Sequence, residues 1–255
     1  MKYDKIAFIS SSSEVARDAC RKLRQRYGRI PLKQADVIVV LGGDGAMLQT
    51  LHQCFDLNVP IYGMNQGSIG FLMNTYDEDR LLDRLDAATA SELHPLQMHA
   101  WDTDGKKHEA LAINEVSLLR QSRQAAKIAI TVDQVERLDE LICDGIMVST
   151  PVGSTAYNSS ARGPIVPLDG NVLPLTPISV FRPRRWPGAL IHHSAEIEFD
   201  ILRAPERPVS ATADAKEVRD VVNVKIHESR SISCTLLFDH DNQLSERIVT
   251  EQFTP

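Results

Sequence analysis

The stretch VLGGDGAML, residues 40–48, sets one carboxylate among three glycines directly after an apolar run. Glycines at such an exit either permit a tight turn or let backbone amides approach a bound group closely. Amides at a helix N-terminus are well placed to hold phosphate oxygens, and Gly42, Gly43 and Gly45 are the residues that would do so here. The stretch has neither the Lys-Ser/Thr of a Walker-type P-loop nor the spacing of a GxGxxG dinucleotide fingerprint. A carboxylate beside phosphate is repulsive unless it has a task of its own. Two tasks fit Asp44, namely general base toward a hydroxyl nucleophile and ligand of Mg²⁺. Both belong to phosphoryl transfer, and a bare turn is the alternative.

Two further groupings stand out. In ALAINEVSLL, Asn114 and Glu115 interrupt an apolar strand pattern. A carboxylate that accepts two O–H groups, beside an amide that donates and accepts, suits sugar hydroxyls; an exposed strand pair is the plainer reading. In ICDGIMVSTPVGSTAYNSSARGPIV, residues 142–166, Asp144-Gly145 leads into IMV, which ends in hydroxyls around Gly153. Ser154 or Thr155 is expected to cap a helix over AYNSSA, turning amides and hydroxyls toward one spot. A hydroxyl-rich turn accounts for Gly153 and Ser154. It leaves the gathering of Asp144, Thr150, Ser154, Thr155 and Tyr157 unexplained. The histidine pairs His94/His99 and His192/His193 do not place two rings on one face as zinc requires, and Cys143 reads as strand filler.

These residues need elements to hold them. DKIAFIS, ADVIVVL and VPIYGMN (4–10, 35–41 and 59–65) are short runs rich in Ile and Val, read as buried parallel strands. Between the first two, Val15, Ala19, Leu23 and Tyr27 recur at helical spacing, with Ser12 or Ser13 as N-cap and Gly28 as stop. A second helix is expected from near Gly45 and a third over 77–88. From about residue 92 the pattern changes to short alternating segments such as LQMHAWDT, HEALAINEVSLL, AKIAITVD, AEIEFDIL, VNVKIHES and ISCTLLFD, with Asp104-Gly105 as the clearest turn. Residues 168–188 read as a long proline-rich connection. The fold class expected is α/β plus all-β: an N-terminal doubly wound parallel sheet over 1–95, completed by the tail 239–255, and a second, mostly antiparallel β domain over 96–238.

The 255 residues are 43% hydrophobic and 24% charged, as in an ordinary globular protein. A net charge of −6 argues against a nonspecific nucleic-acid binder. The basic patch FRPRRW at 181–186 is either a solvated loop or a local anion site. No run approaches the roughly 20 apolar residues of a membrane span, and the N-terminus enters a strand pattern without a leader, so no membrane partner is expected. Four cysteines without a CxxC pair fit a reducing compartment, and the expected location is cytoplasmic.

GGDG after a strand, an Asn-Glu pair, then DG followed by STPVGSTAY and GPIVP, in this order, resembles the NAD kinase family along essentially the whole chain. GGDG by itself would also be shared with diacylglycerol, sphingosine and 6-phosphofructo kinases. The resemblance implies ATP or polyphosphate as donor, NAD as acceptor, Mg²⁺ carried by the substrate phosphates with no protein metal site unless Asp44 provides one, and a homo-oligomer, dimer or tetramer. It implies Asp44 as catalytic residue toward the 2′-hydroxyl of the adenosine ribose. Gly42, Gly43 and Gly45 would then face the donor phosphates, and Arg162, whose charge the family pattern lacks, is expected near the donor as well. Asp44, Gly45, Phe71, Asn114, Glu115, Asp144, Thr155, Ala156, Tyr157, Asn158, Ser159, Ser160 and Asp214 would face NAD. The rival functions are a lipid or sugar kinase sharing GGDG and a non-catalytic NAD sensor. Four positions depart from the family pattern: Ala46 for Thr or Asn, Val152 for Thr, Arg162 for Gly, and Ala215 for Gly after the late aspartate.

Overall fold

The computed structural model describes residues 3–67 and 70–253, and its first apolar run is β1 (Ile6–Ser10). Met1, Lys2, Ser68, Ile69, Thr254 and Pro255 lie outside the described residues, and with them the outer ends of the ranges 1–95 and 239–255. α1 (Glu14–Tyr27) starts on Ser13, whose hydroxyl accepts the Ala16 N–H at 3.2 Å, and stops at Gly28 at φ 92°. Its buried stripe is Ala16, Ala19, Cys20 and Leu23, while Val15, expected on that stripe, is 63% exposed. Strict steps of four drift around a helix of 3.6 residues per turn, and the 16, 19, 20, 23 set stays on one face.

β2 (Val37–Gly42) is buried on both faces, as a central parallel strand requires. α2 (Asp44–Cys54) follows after the single residue Gly43, one residue earlier than expected. Next come β3 (Ile61–Asn65), α3 (Leu81–Ala87) and β4 (Thr89–Leu93). α3 is shorter than the 77–88 pattern. Asp77 accepts the Asp79 N–H at 2.9 Å, and Arg26 donates to Glu78 O and to the Asp79 carboxylate, which holds those residues in a turn.

His94–Arg230 forms a second unit. Its strands are β5 (Leu96–Asp102), β6 (Lys107–Ala112), β7 (Glu115–Arg120), β8 (Ala126–Val132), β9 (Val135–Cys143) and β10 (Gly145–Ser149). After the short helix α4 (Tyr157–Ser160) come β11 (Val172–Ile178), β12 (Ala189–His192), β13 (Ile197–Ile201), β14 (Val209–Ala213), β15 (Lys216–Val218) and β16 (Val221–Glu228). They make two six-stranded antiparallel sheets, ordered β12-β11-β10-β7-β14-β15 and β6-β5-β16-β13-β8-β9, around one shared apolar core. Two expectations need correction. HEALAINEVSLL is two strands, broken at Ile113-Asn114. The proline-rich connection contains β11, since proline's fixed φ is compatible with extended backbone and Leu173–Thr176 are buried.

The chain returns to the first unit as β17 (Cys234–Phe238) and α5 (Leu244–Glu251). The return begins at Ser231, so ISCTLLFD belongs to the first unit, and the tail's contribution starts before residue 239. An apolar run of this length does not reveal which sheet it will join. The sheet order is β1-β2-β3-β17-β4, parallel except where β17 meets β4. Val37, Val39, Leu41 and Tyr62 face α1 and α3 on one side. Gly63 faces Met47 of α2 on the other. Helices on both faces make the sheet doubly wound. Among the described residues no helix is long and apolar enough to cross a membrane.

Candidate functional site

β2 delivers the chain to Gly42 and α2 opens on Asp44, in the helix's first turn. The Asp44 carboxylate is clamped: Oδ2 accepts the Phe71 N–H and Oδ1 the Leu72 N–H, both at 2.7 Å. Each carboxylate oxygen has two lone pairs, so each keeps one for a further partner while the plane of the group is held.

The glycines of GGDG divide by cause. A Cβ on Gly42 would lie 2.8 Å from Ala46 Cβ and 3.1 Å from Ser11 Cβ, so that glycine is required by packing. Cβ atoms on Gly43 and Gly45 would meet nothing within 4 Å, and neither residue has positive φ. Packing and backbone conformation therefore leave those two glycines unexplained, and a bare turn does not account for them. Gly70, which sequence reasoning missed, is a close-approach glycine: its Cβ would sit 2.9 Å from Asp44 Oδ1.

The loop that supplies the clamp is itself fastened. Buried Asn74 donates to Gly63 O and Leu237 O and accepts the Asp239 N–H. Arg247 of α5 donates to Gly70 O at 3.0 Å and to Phe71 O and Met73 O, each at 2.6 Å. Burial pulls the Arg247 guanidinium below its ordinary value, and the Asp44 and Asp239 carboxylates oppose that pull.

In the second unit the break between β6 and β7 presents the Asn114-Glu115 pair. Asp214, at φ 49° in the turn joining β14 to β15, aims its carboxylate at that break. Oδ2 accepts the Ile113 N–H at 2.7 Å, and Oδ1 accepts those of Asn114 and Glu115 at 2.9 and 3.3 Å. Asp214, expected to face NAD, thus holds the residues on which the Asn-Glu pair sits. Positive φ falls on Asp214 and not on Ala215, so alanine for the family's glycine costs nothing there. Glu115 Oε2 is buried without a hydrogen-bond partner among the described residues. Burial, with the Asp214 charge adding to it, pushes the Glu115 carboxyl up to about 7.

Much of the hydroxyl cluster is internal wiring. Thr150 donates to Ile113 O at 2.6 Å and accepts the Gly153 N–H; Ser154 donates to Pro151 O and accepts the Val166 N–H. Gly153 packs against the same turn, since a Cβ there would lie 2.1 Å from Asn114 O. The expected Ser154 or Thr155 cap is absent: α4 has Ala156 at its N-cap without a side-chain bond, and Thr155 donates to Val152 O. Asn158 is fully buried, donating to Ser154 O and Pro164 O and accepting from Thr176, which commits its side chain to the fold rather than to a ligand. Tyr157 and Ser160 are exposed, while Thr155, Ala156 and Ser159 are half-buried. Val152 is 4% exposed, so valine in place of threonine removes no surface hydroxyl. Asp144 pairs with Arg120, whose Nε donates to Oδ1 at 2.6 Å. The side chains of Arg182, Arg184 and Arg185 in the basic patch are exposed.

Arg162 is exposed at φ 65°, where the family pattern has glycine. A left-handed conformation costs an L-residue roughly 1–2 kcal/mol, part of which glycine returns through its freer unfolded chain. Arg162→Gly is expected to leave stability unchanged or raise it by up to about 1 kcal/mol in urea unfolding. A loss larger than that would show that the guanidinium contributes a contact.

Residues 5–92 match the family model of the ATP-NAD kinase N-terminal domain, and residues 113–187 match that of the ATP-NAD kinase C-terminal domain. A NAD kinase of Caulobacter vibrioides is 55% identical over 250 residues, which cover 98% of this chain and 96% of that protein. A NAD kinase of Xylella fastidiosa is 53% identical over 249 residues, again 98% of this chain and 96% of the other. The fold is shared with a yeast NADH kinase solved in complex with NADH (TM-score 0.84, 19% identity, 97% of this chain and 86% of that one). It is also shared with an NAD kinase from Archaeoglobus fulgidus in complex with ATP (TM-score 0.78, 23% identity, 97% and 98%). With more than half of all positions identical over nearly the full length, and with both family models matched, this chain belongs to the NAD kinase family.

Proposed function

We propose that the protein transfers the γ-phosphoryl group of ATP to the 2′-hydroxyl of the adenosine ribose of NAD, giving NADP and ADP, with polyphosphate as the alternative donor. Family membership supports the reaction. The observation that ties it to particular atoms is the doubly clamped Asp44 carboxylate beside two glycines that neither packing nor φ requires. The 2′-hydroxyl gives its proton to a free lone pair of Asp44. Its oxygen attacks the γ-phosphorus, and the bond from that phosphorus to the β–γ bridging oxygen breaks, releasing ADP. A base already oriented needs no reorganisation, and such catalysis contributes roughly 10²–10⁴ in rate. Mg²⁺ carried by a triphosphate held at Gly43 and Gly45 would supply neutralisation of the phosphate charge.

Gly43 and Gly45 are assigned to the donor phosphates, with Gly42 packing beneath them and Arg162 as a donor contact. NAD is assigned to Asp44, Gly45, Phe71, Asn114 and Glu115, and to the turn carrying Thr155, Ala156, Tyr157, Ser159 and Ser160. Asp144 reaches NAD as half of its pair with Arg120. The four cysteines, all free and buried, support a reducing, cytoplasmic location, and the family resemblance supports a homo-oligomer.

The test combines protein, ATP, Mg²⁺ and NAD and measures NADP with an NADP-specific dehydrogenase. NADP formation that requires all three additions is expected. Calorimetric NAD binding without turnover would leave a sensor, and phosphorylation of diacylglycerol or a sugar with indifference to NAD would leave another kinase.

Glu115 gives a pH signature. An acid raised to about 7 is protonated below that value, and ribose hydroxyls that donate to the Glu115 carboxyl group require the carboxylate. Binding therefore releases a proton in that range, so NAD affinity should rise from pH 6 to 7 and level above 8. Glu115→Gln is expected to flatten the profile in calorimetry, and an unchanged slope in that variant would place the titration elsewhere.

A further inference from the structure

We infer that Arg247, on the C-terminal helix α5, is a positioning residue for the Asp44 carboxylate, acting through the two peptide planes that lie between them. The geometry is specific. The carbonyl of Gly70 and the N–H of Phe71 belong to one peptide unit; the carbonyl of Phe71 and the N–H of Leu72 belong to the next. Arg247 Nη1 donates to both of these carbonyls, at 3.0 and 2.6 Å, while the two Asp44 oxygens accept both of these N–H groups at 2.7 Å. Each peptide dipole thus points its negative end at the guanidinium and its positive end at the carboxylate. Bonds arranged in series between opposite charges polarise and strengthen one another. Nη2 adds a third anchor on Met73 O, and the guanidinium carbon lies 5.5 Å from the Phe238 ring centroid, which fixes the fork from β17.

A planar guanidinium can hold three carbonyls of one short loop at once, and a lysine ammonium lacks that fork. Losing it frees the loop, and with it the direction of the Asp44 lone pairs. Misplacement of a reacting group by about 1 Å costs on the order of 10²-fold. Effects should fall chiefly on kcat, because Arg247 itself is assigned no contact with either nucleotide, with a smaller effect on NAD binding through Phe71, which the freed loop carries.

This inference rests on the assignment of Asp44 as base. Four proteins are compared: wild type, Arg247→Ala, Asp44→Asn and the double variant, with Arg247→Lys as the milder substitution. The expected result is a kcat lower by on the order of 10- to 100-fold in Arg247→Ala, with KM for ATP within about twofold and any rise in KM for NAD, through Phe71, smaller than the fall in kcat. Arg247→Lys should fall between, and millimolar guanidinium should restore part of the loss in Arg247→Ala alone. The double variant should be no slower than Asp44→Asn, since Arg247 acts through the carboxylate already removed. Multiplying losses, or full turnover in Arg247→Ala, would overturn the inference. Should Arg247→Ala not fold, Arg247→Lys takes its place in the same cycle. Hydrogen exchange gives a readout independent of turnover: the Phe71 and Leu72 amides should lose protection in either variant, and unchanged protection would overturn the inference. If wild type makes no NADP, the proposed reaction fails, and the exchange result still decides the clamp.

Discussion

Asp44→Asn is expected to lower kcat by about 10²–10⁴, the contribution of a positioned general base, with little change in NAD affinity. The structure gives the substitution a second consequence. An asparagine keeps one acceptor oxygen and presents an NH₂ where the other stood, so it meets either the Phe71 or the Leu72 N–H donor to donor. One clamp bond is lost and one amide is left unpaired, at a cost of about 1–3 kcal/mol. Lower turnover together with a measurable drop in unfolding stability is thus expected, read from initial rates at saturating ATP and from urea midpoints. Calorimetry on the same protein separates binding from chemistry. Turnover near that of wild type would end the general-base assignment.

The second large effect is expected at Asp214. Three backbone N–H groups share its carboxylate, and hydrogen bonds to an ionised acceptor contribute about 1.5–3 kcal/mol. Asp214→Ala leaves all three without that acceptor and releases the turn bearing Asn114 and Glu115. A stability loss of about 3 kcal/mol or more is expected, together with weaker NAD binding. Asp214→Asn isolates the electrostatic part. The Asp214 charge is the lesser of the two causes that raise Glu115, so neutralising it lowers the Glu115 value while burial keeps it above the ordinary carboxylate range. The pH midpoint of NAD binding should then move below about 7 in Asp214→Asn. A stability loss under about 1 kcal/mol in Asp214→Ala would show that the turn is held by Thr150 and Gly153 instead.

Local features of this fold are legible in the sequence because their causes are local. Ser13 and Gly28 cap α1, the Ile/Val runs become the parallel strands, and GGDG sits at the threshold of α2. The family resemblance is carried by such short stretches. What escapes sequence reading is wiring between distant segments. Arg247 reads as one charge in the tail that completes the first domain, and nothing near it in sequence says that its partners are carbonyls at 70, 71 and 73. Asp214 reads as a ligand contact, whereas three of its acceptor sites hold amides about a hundred residues earlier. The hydroxyls of STPVGST look like a binding surface, and the structure turns Thr150 and Ser154 inward to satisfy backbone groups of neighbouring turns. Strand β17 has an apolar run as plain as any other, and only the completed sheet shows that it joins β3 and β4.

The most direct measurement is the distance from the Asp44 carboxylate to the ribose 2′-oxygen in a crystal structure of the protein with NAD and a non-transferable ATP analogue. The expected value lies within hydrogen-bond reach, roughly 2.6–3.2 Å, with the Phe71 and Leu72 amides still on the carboxylate. A ribose hydroxyl bound well beyond that reach, with no water bridging it to Asp44, would contradict the assignment of this carboxylate as the base.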